Sequence, residues 1–282
     1  MSKLTTTADA VARLVHDGDR LSAACGLEAR IPFSAGHEII RQGKRDLTLV
    51  GPISDMLYDQ LIGAGCVRAL EVAWVGNVGA GLGHNFRRAA EATPAQIAVT
   101  NYTNLTYATG LRAAAEGIPF GITRSLFGTD IASQSDVFRE IDDPFGSGRV
   151  FAVRAIRVDV AIVVAQRSDA SGNAHVWGSL GTTLESVRAA ERVIVLAEEL
   201  VTPEAIRAEP NRTMIPGFLV DAVVVEPGAA HPSPVEGYRE RDHAAFEAYH
   251  RATRTFEGFT AWRRDWIDDV PDRAAYMNKA RA

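Results

Sequence analysis

Val158-Asp159-Val160-Ala161-Ile162-Val163-Val164-Ala165 runs directly into Gln166-Arg167-Ser168-Asp169-Ala170-Ser171-Gly172-Asn173-Ala174. The first half is β-branched and almost wholly apolar, the pattern of a strand buried on both faces of a parallel sheet. The second half is polar, and Gly172 and Asn173 tolerate the backbone of a tight turn. Open α/β sheets bind ligands at the carboxyl ends of their strands. The stretch therefore predicts an α/β fold and marks a candidate working edge.

Working outward, strand-like and helix-like segments alternate. Ala8, Val11, Leu14 and Val15 fall at helical spacing, and Asp17-Gly18 closes that helix. Residues 21–25 read as a strand and 26–32 as the loop at its end. Ser34 is a candidate N-cap for a helix carrying Ile39 and Ile40 inward. Residues 47–50 form a strand stopped by Gly51-Pro52, Ser54 caps the next helix, and 70–75 is a further strand. The glycine-rich run 76–83 is expected to link that strand to a helix over 86–92. Strands at 97–99, 119–123, 193–196 and 219–225 follow, with a helix over 105–115 and an irregular stretch over 124–150. From about Asp242 the chain reads as helix, anchored by Phe246, Tyr249, Trp262 and Trp266. The two tryptophans share one helix face, as core residues or as an interface. Strands alternating with helices predict an open, mostly parallel sheet flanked by helices. No repeat or linker interrupts it, so one domain over 1–282 with a helical C-terminal extension is expected.

The chain has 282 residues, of which 46% are hydrophobic and 23% charged, with a net charge of -5. That balance argues against a nucleic-acid groove. No apolar run reaches the roughly 18 residues of a membrane span, and the start lacks the apolar core of a signal peptide. A cytoplasmic protein is expected, with Cys25 and Cys66 as reduced, buried thiols.

Several positions could carry chemistry. The glycine-rich run could cradle phosphate with backbone N–H groups, or simply turn the chain; His84 occupies the last glycine position of a dinucleotide fingerprint. Arg30 could grip a carboxylate in two-point fashion or form an ion pair. Asn101, Thr103 and Asn104 could clamp a carbonyl or cap a helix. Arg124 could meet an acyl carboxylate or pair with Asp130. His231 is a possible base without a nucleophile at known distance. His243 and His250 have no third metal ligand in view, and no metal is expected.

The strand followed by Gln166-Arg167-Ser168-Asp169-x-x-Gly172-Asn173 resembles the A (alpha) subunits of family I coenzyme A transferases, in particular the glutaconate and 3-oxoacid CoA-transferase groups. Asp17-Gly18-Asp19-Arg20-Leu21 through Ile31-Pro32 is similar to the alpha-chain signature, although Ala24-Cys25-Gly26 replaces its Gly-Gly-Phe and Arg30 its later glycine. Gly117-Ile118-Pro119-Phe120, Asp142-Asp143-Pro144-Phe145 and His231-Pro232-Ser233 continue the resemblance over residues 10–245. It implies the open α/β architecture of that family and an α2β2 assembly. A partner B (beta) subunit would carry a glutamate that forms a glutamyl-CoA thioester and passes CoA to a second acid, splitting one hard transfer into easier steps. The acyl-CoA thioester is then a substrate, and no permanently bound cofactor is implied. Gly76, Asn77, Gly79, Asn101 and Arg124 become candidates for holding the acyl part, with Arg30 for a carboxylate. A ring-opening hydrolase of steroid catabolism is also similar. The glutamate of its alpha chain lies in the region of Asn101 to Asn104, where this chain has no carboxylate; Glu28 is the alternative. A non-catalytic small-ligand-binding module is the third reading, since fold does not fix function.

Overall fold

The computed structural model describes residues 2–23 and 26–281, with Ser54 described by its backbone alone. Cys25, expected as a buried thiol, lies outside the described residues. Cys66 is free and buried, and loss of solvent lifts its thiol to about 11.

In chain order the elements are α1 (Thr7–Leu14), β1 (Arg20–Ser22), α2 (Phe33–Arg41), β2 (Leu47–Ser54), α3 (Met56–Gly63), β3 (Val67–Asn77), β4 (Gly81–Leu82), α4 (His84–Ala90), β5 (Ala98–Asn101) and α5 (Asn104–Ala115). Then come β6 (Phe120–Thr123), β7 (Phe138–Asp142), β8 (Arg149–Arg154), β9 (Val158–Ser168), β10 (Ala174–His175), α6 (Thr183–Ala189), β11 (Ala190–Leu200), α7 (Pro203–Ala208), β12 (Thr213–Ile215) and β13 (Ala222–Val225). The helices α8 (His243–Ala252), α9 (Phe256–Arg263) and α10 (Arg273–Arg281) end the chain.

The central sheet runs parallel in the order β13-β11-β9-β1-β2-β3-β5. Short antiparallel strands decorate it: β4 on β3, β10 on β9 and β12 on β10. The α/β expectation is met, and the opening segment is the buried strand β9. Alternate residues of β9 face opposite layers: Val160, Ile162 and Val164 join Phe33, Leu57 and Phe246, whereas Val163 and Ala165 join Val187, Val193 and Ile215. Each valine, leucine, isoleucine and phenylalanine side chain among them contributes about 1.5–3 kcal/mol by leaving water.

Four local expectations are corrected. Ser34 does not cap α2, which begins at Phe33 behind Pro32 and draws Ser34 into its buried first turn. β2 does not stop at Gly51-Pro52. β1 pairs only as far as Val50, so beyond it β2 hydrogen-bonds to β3 while Pro52 sits where the other edge is unpaired and a missing N–H is tolerated. Asp55 caps α3, accepting from the Met56 N–H at 2.8 Å. The stretch 124–150 is not structureless: β7 pairs antiparallel with β8, and β8 with β6, in a separate sheet packed with α5 through Phe138, Phe151, Val153, Tyr107 and Leu111.

The C-terminal helices begin where expected, with Asp242 accepting from the Ala245 N–H of α8. Trp262 packs edge-on to Tyr249 at 4.7 Å and Trp266 edge-on to Tyr276 at 5.6 Å, so both bind helix to helix within the chain. Among the described residues no helix is long and apolar enough to cross a membrane.

Candidate functional site

The strand order reverses between β9 and β1, so the crevice at their carboxyl ends is the topological switch point where such sheets take ligands. Two loops meet there. The loop after β1 holds Leu27 and Arg30 at positive φ, 64° and 54°. Non-glycine residues enter that region at a cost that concentrates at functional segments. Arg30 turns inward: its guanidinium lies 2.6 Å from a Glu236 carboxylate oxygen, donates to the Trp177 carbonyl at 3.0 Å and also donates to the Ser179 carbonyl. Gln166 lies within β9, which runs on to Ser168 rather than ending at Ala165; it reads the Trp177 backbone through both its amide groups and donates to the Glu236 carbonyl. A chain segment arriving after β13 thus seals the crevice with Glu236. Arg30 is buried here, and the grip expected on a substrate carboxylate is taken by Glu236.

Next to it a second pair ties the ends of β1, β2 and β3. Asp55 is 1% exposed, and its Oδ2 receives the Arg241 guanidinium at 2.9 Å while its Oδ1 also accepts from the Val78 N–H. Arg241 donates onward to the Glu28 carbonyl at 3.4 Å and lies 3.6 Å over the Phe246 ring. Truncating one member of a buried pair leaves the other charge uncompensated, which makes such a tie costly to break. Neither residue stands out in the sequence. Asp55 carries the ordinary signal of a cap between strand and helix, and Arg241 lies in a charged run 186 residues away, where nothing local announces its partner.

The glycine-rich run links β3 to α4 as expected, and on the way it folds into a hairpin with Gly76 opposite Leu82 and Asn77 opposite Gly81. A side chain at Gly76 would lie 2.5 Å from the Trp74 ring, so only glycine lets the hairpin close against it. Asn77 is buried and donates to the Phe246 carbonyl at 2.9 Å, fixing the hairpin to α8. Gly79 lies at the exposed tip. Beside the hairpin a cleft of about 420 Å³ opens between Trp74, Leu82, Arg87 and Asn101. Asn101 is exposed at the end of β5 and reaches Gln134 at 3.4 Å. Thr103, not Asn101, closes a capping box with Thr106 on α5, which leaves the Asn101 amide to the cleft. Arg124 is exposed and pairs with Asp143 at 3.2 Å, not with Asp130. Gly76, Asn77 and Gly79 share the hairpin, while Asn101 lies opposite Val72 and lines the cleft beside it with Trp74 and Leu82. Glu28 is exposed in the β1 loop.

Polar networks elsewhere are internal. The Asp169 carboxylate receives the Ser171 and Asn173 N–H groups and the Asn173 amide, so the motif that marks the fold is a self-bonded turn. His231 has both ring nitrogens engaged, by Asp242 at 3.0 Å and Tyr276 at 3.3 Å, and burial holds its pKa below the usual value. Asp59 is fully buried; desolvation raises its pKa against the pull of bonds from Tyr249, Phe86 and Asn85. Among the described residues no group of three or more His, Cys, Asp or Glu is placed to hold a metal.

Comparison with known proteins adds the family. The coenzyme A transferase family model matches residues 4–226. The chain is 38% identical to the A subunit of 3-oxoadipate CoA-transferase from Pseudomonas knackmussii, over 99% of this chain and 98% of that one. It is 34% identical to the A subunit of glutaconate CoA-transferase from Acidaminococcus fermentans, over 100% and 93%. The crystal structure of glutaconate coenzyme A-transferase from that organism superposes with a TM-score of 0.94, covering 99% of this chain and 92% of that chain. A cholesterol ring-cleaving hydrolase subunit of Mycobacterium tuberculosis is more distant, at 26% identity over 91% and 90%. This chain belongs to the coenzyme A transferase family.

Proposed function

We propose that the chain is the A subunit of a heteromeric coenzyme A transferase, moving CoA from an acyl-CoA to a carboxylic acid through a glutamyl-CoA thioester on its B subunit. The observation that carries this reading is likeness along the whole chain to two A subunits, at 38% and 34% identity. Both relatives are named for dicarboxylates, so the acyl group we assign also bears a second carboxylate. The assembly is A2B2 and works in the cytoplasm.

The geometry supports a division of labour. Asp55 and Glu236 at this edge are held by Arg241 and Arg30, and a carboxylate so engaged is a poor nucleophile, which agrees with a partner supplying it. Gly79, Asn101 and Arg124 reach solvent and would touch the acyl group, Arg124 by pairing with its free carboxylate. Gly76 and Asn77 shape the hairpin that carries Gly79, and Arg30 fixes the β1 loop.

The test uses the co-purified complex, incubated with glutaryl-CoA, adipyl-CoA and butyryl-CoA, reduced with borohydride and weighed chain by chain. A reduced glutamate on the partner, formed with the dicarboxylic thioesters, is expected. A label on this chain, at Glu28, would overturn the assignment; release of free CoA without an acceptor acid and without any label would replace transfer by hydrolysis.

A further inference from the structure

Away from the switch point, a cavity of about 160 Å³ lies where α1, α2 and the start of α10 meet. Three side chains that line it each keep a buried polar atom without a partner: Ser34 Oγ, Arg273 Nη1 and Glu226 Oε2. Ser34 is 4% exposed and Arg273 7%. Buried polar groups are otherwise nearly always satisfied, because an unmade hydrogen bond there carries the full penalty of desolvation. Three such atoms on one wall point to a ligand.

Their chemistry defines it. Arg273 donates its other N–H groups to the Gly228 and His231 carbonyls, neutral acceptors that leave its charge without a carboxylate in hydrogen-bond contact. Glu226 accepts one bond on its other oxygen, from the Thr7 hydroxyl at 2.9 Å. The remaining charges on the wall are already engaged: Arg41 pairs with Glu38 at 2.9 Å, and Asp272 accepts from the Ala275 N–H of α10. What the cavity lacks is therefore an anionic acceptor for Arg273 and Ser34 beside a donor for Glu226. A simple anion would satisfy the first two and repel the third. A cavity of about 150 Å³ holds a molecule of benzene's size, so the complement is small.

We propose that this pocket binds a small carboxylate carrying an adjacent hydrogen-bond donor, a short α-amino acid or α-hydroxy acid, with its carboxylate on Arg273 Nη1 and Ser34 Oγ and its donor on Glu226 Oε2. The inference rests on this wall alone and stands or falls apart from the transferase reading. A ligand here would join α10 to α1 and α2 and hold the C-terminal helices on the sheet.

Calorimetric titration of the full chain with alanine, lactate and propionate tests it, since the three differ in the donor: ammonium, hydroxyl or none. Alanine or lactate should bind at least about tenfold tighter than propionate, the scale of one hydrogen bond to a charged group. Ser34→Ala, which removes an unpartnered hydroxyl and so leaves the fold intact, should weaken alanine or lactate about tenfold or more, the scale of one hydrogen bond to a charged carboxylate. Glu226→Gln should narrow the gap by letting propionate in, because the amide no longer repels it. Absence of binding by all three, or binding that both substitutions leave unchanged, overturns the proposal and leaves the cavity to ordered water.

Discussion

The two halves of the sheet on either side of the switch point differ in what their carboxyl ends do. On the β9-β11-β13 side, polar groups are closed on one another: Asp169 binds its own turn, and Glu198 receives the Gly228 N–H through both carboxylate oxygens. On the β1-β2-β3-β5 side, the polar tie of Asp55 and Arg241 lies beneath a hairpin whose outer surface stays open. Trp74 is 39% exposed, Leu82 51%, and the cleft beside them ends at Asn101. Large exposed apolar side chains rimmed by polar groups mark binding surfaces. One half thus holds the sheet's end shut, and the other presents it.

The largest test of that contrast is the buried tie. Asp55→Ala should lower unfolding free energy by about 3–5 kcal/mol, the loss on breaking a buried pair from one side. It should also abolish transfer by the complex, because the Val78 N–H and the Arg241 guanidinium are released together; urea denaturation alongside an acyl-transfer assay measures both. A stable variant with full activity would mean that the hairpin is held by other contacts.

On the closed side, Asn173→Ala removes a donor to Asp169 and an acceptor for the Gly217 N–H at 2.9 Å. A loss of about 1–3 kcal/mol is expected for the groups left unpaired, with kcat/KM of the surviving folded complex unchanged. A selective fall in activity at full stability would move the working edge back to the β9 turn.

Each half also contains a buried carboxylate whose pKa desolvation raises, Asp59 on the open side and Glu198 on the closed side. The folded state then holds a proton that the unfolded state releases. The stabilisation is complete below the ordinary carboxylate pKa and disappears as pH rises through the folded value. Asp59→Asn should flatten the fall in stability above about pH 4. Glu198→Gln should flatten it less, since Glu198 keeps 6% exposure and Asp59 none. Melting temperature against pH for the two variants gives the order directly.

The smallest effect on stability and the most specific on function belongs to Arg124. Its pair with Asp143 is exposed, and such pairs contribute about 0–1 kcal/mol. Arg124→Ala should leave the melting curve in place and raise KM for a dicarboxylic acyl-CoA without raising it for butyryl-CoA. Equal changes for both would remove Arg124 from substrate recognition.

The buried run of β9 and the alternation of helix and strand were enough to give the α/β class, because a strand covered on both faces has to be apolar throughout and its helices have to carry apolar stripes. The motif resemblance pointed to the family before any coordinates. The hairpin was harder to read: a glycine-rich run signals close approach or a tight turn but not which, and the approach at Gly76 is to Trp74, two residues away on the same strand. The strand β7 was hidden by its charges Arg139, Glu140 and Asp142, all exposed, beside a single buried apolar residue, Phe138.

Sequence alone determined the periodicities, the helix start at Asp242 and the family pattern, since all of these are local properties of residues a few positions apart; the first helix stops at Leu14, short of the expected Asp17-Gly18. Tertiary structure decided which charges are free. Arg30, Arg124 and Arg241 are the same residue type in similar polar loops. One is enclosed by Glu236, one stands exposed with Asp143 and one is locked on Asp55. Those partners lie 206, 19 and 186 residues away along the chain. An ion pair's strength depends on burial and distance in space, and neither is written in the local sequence.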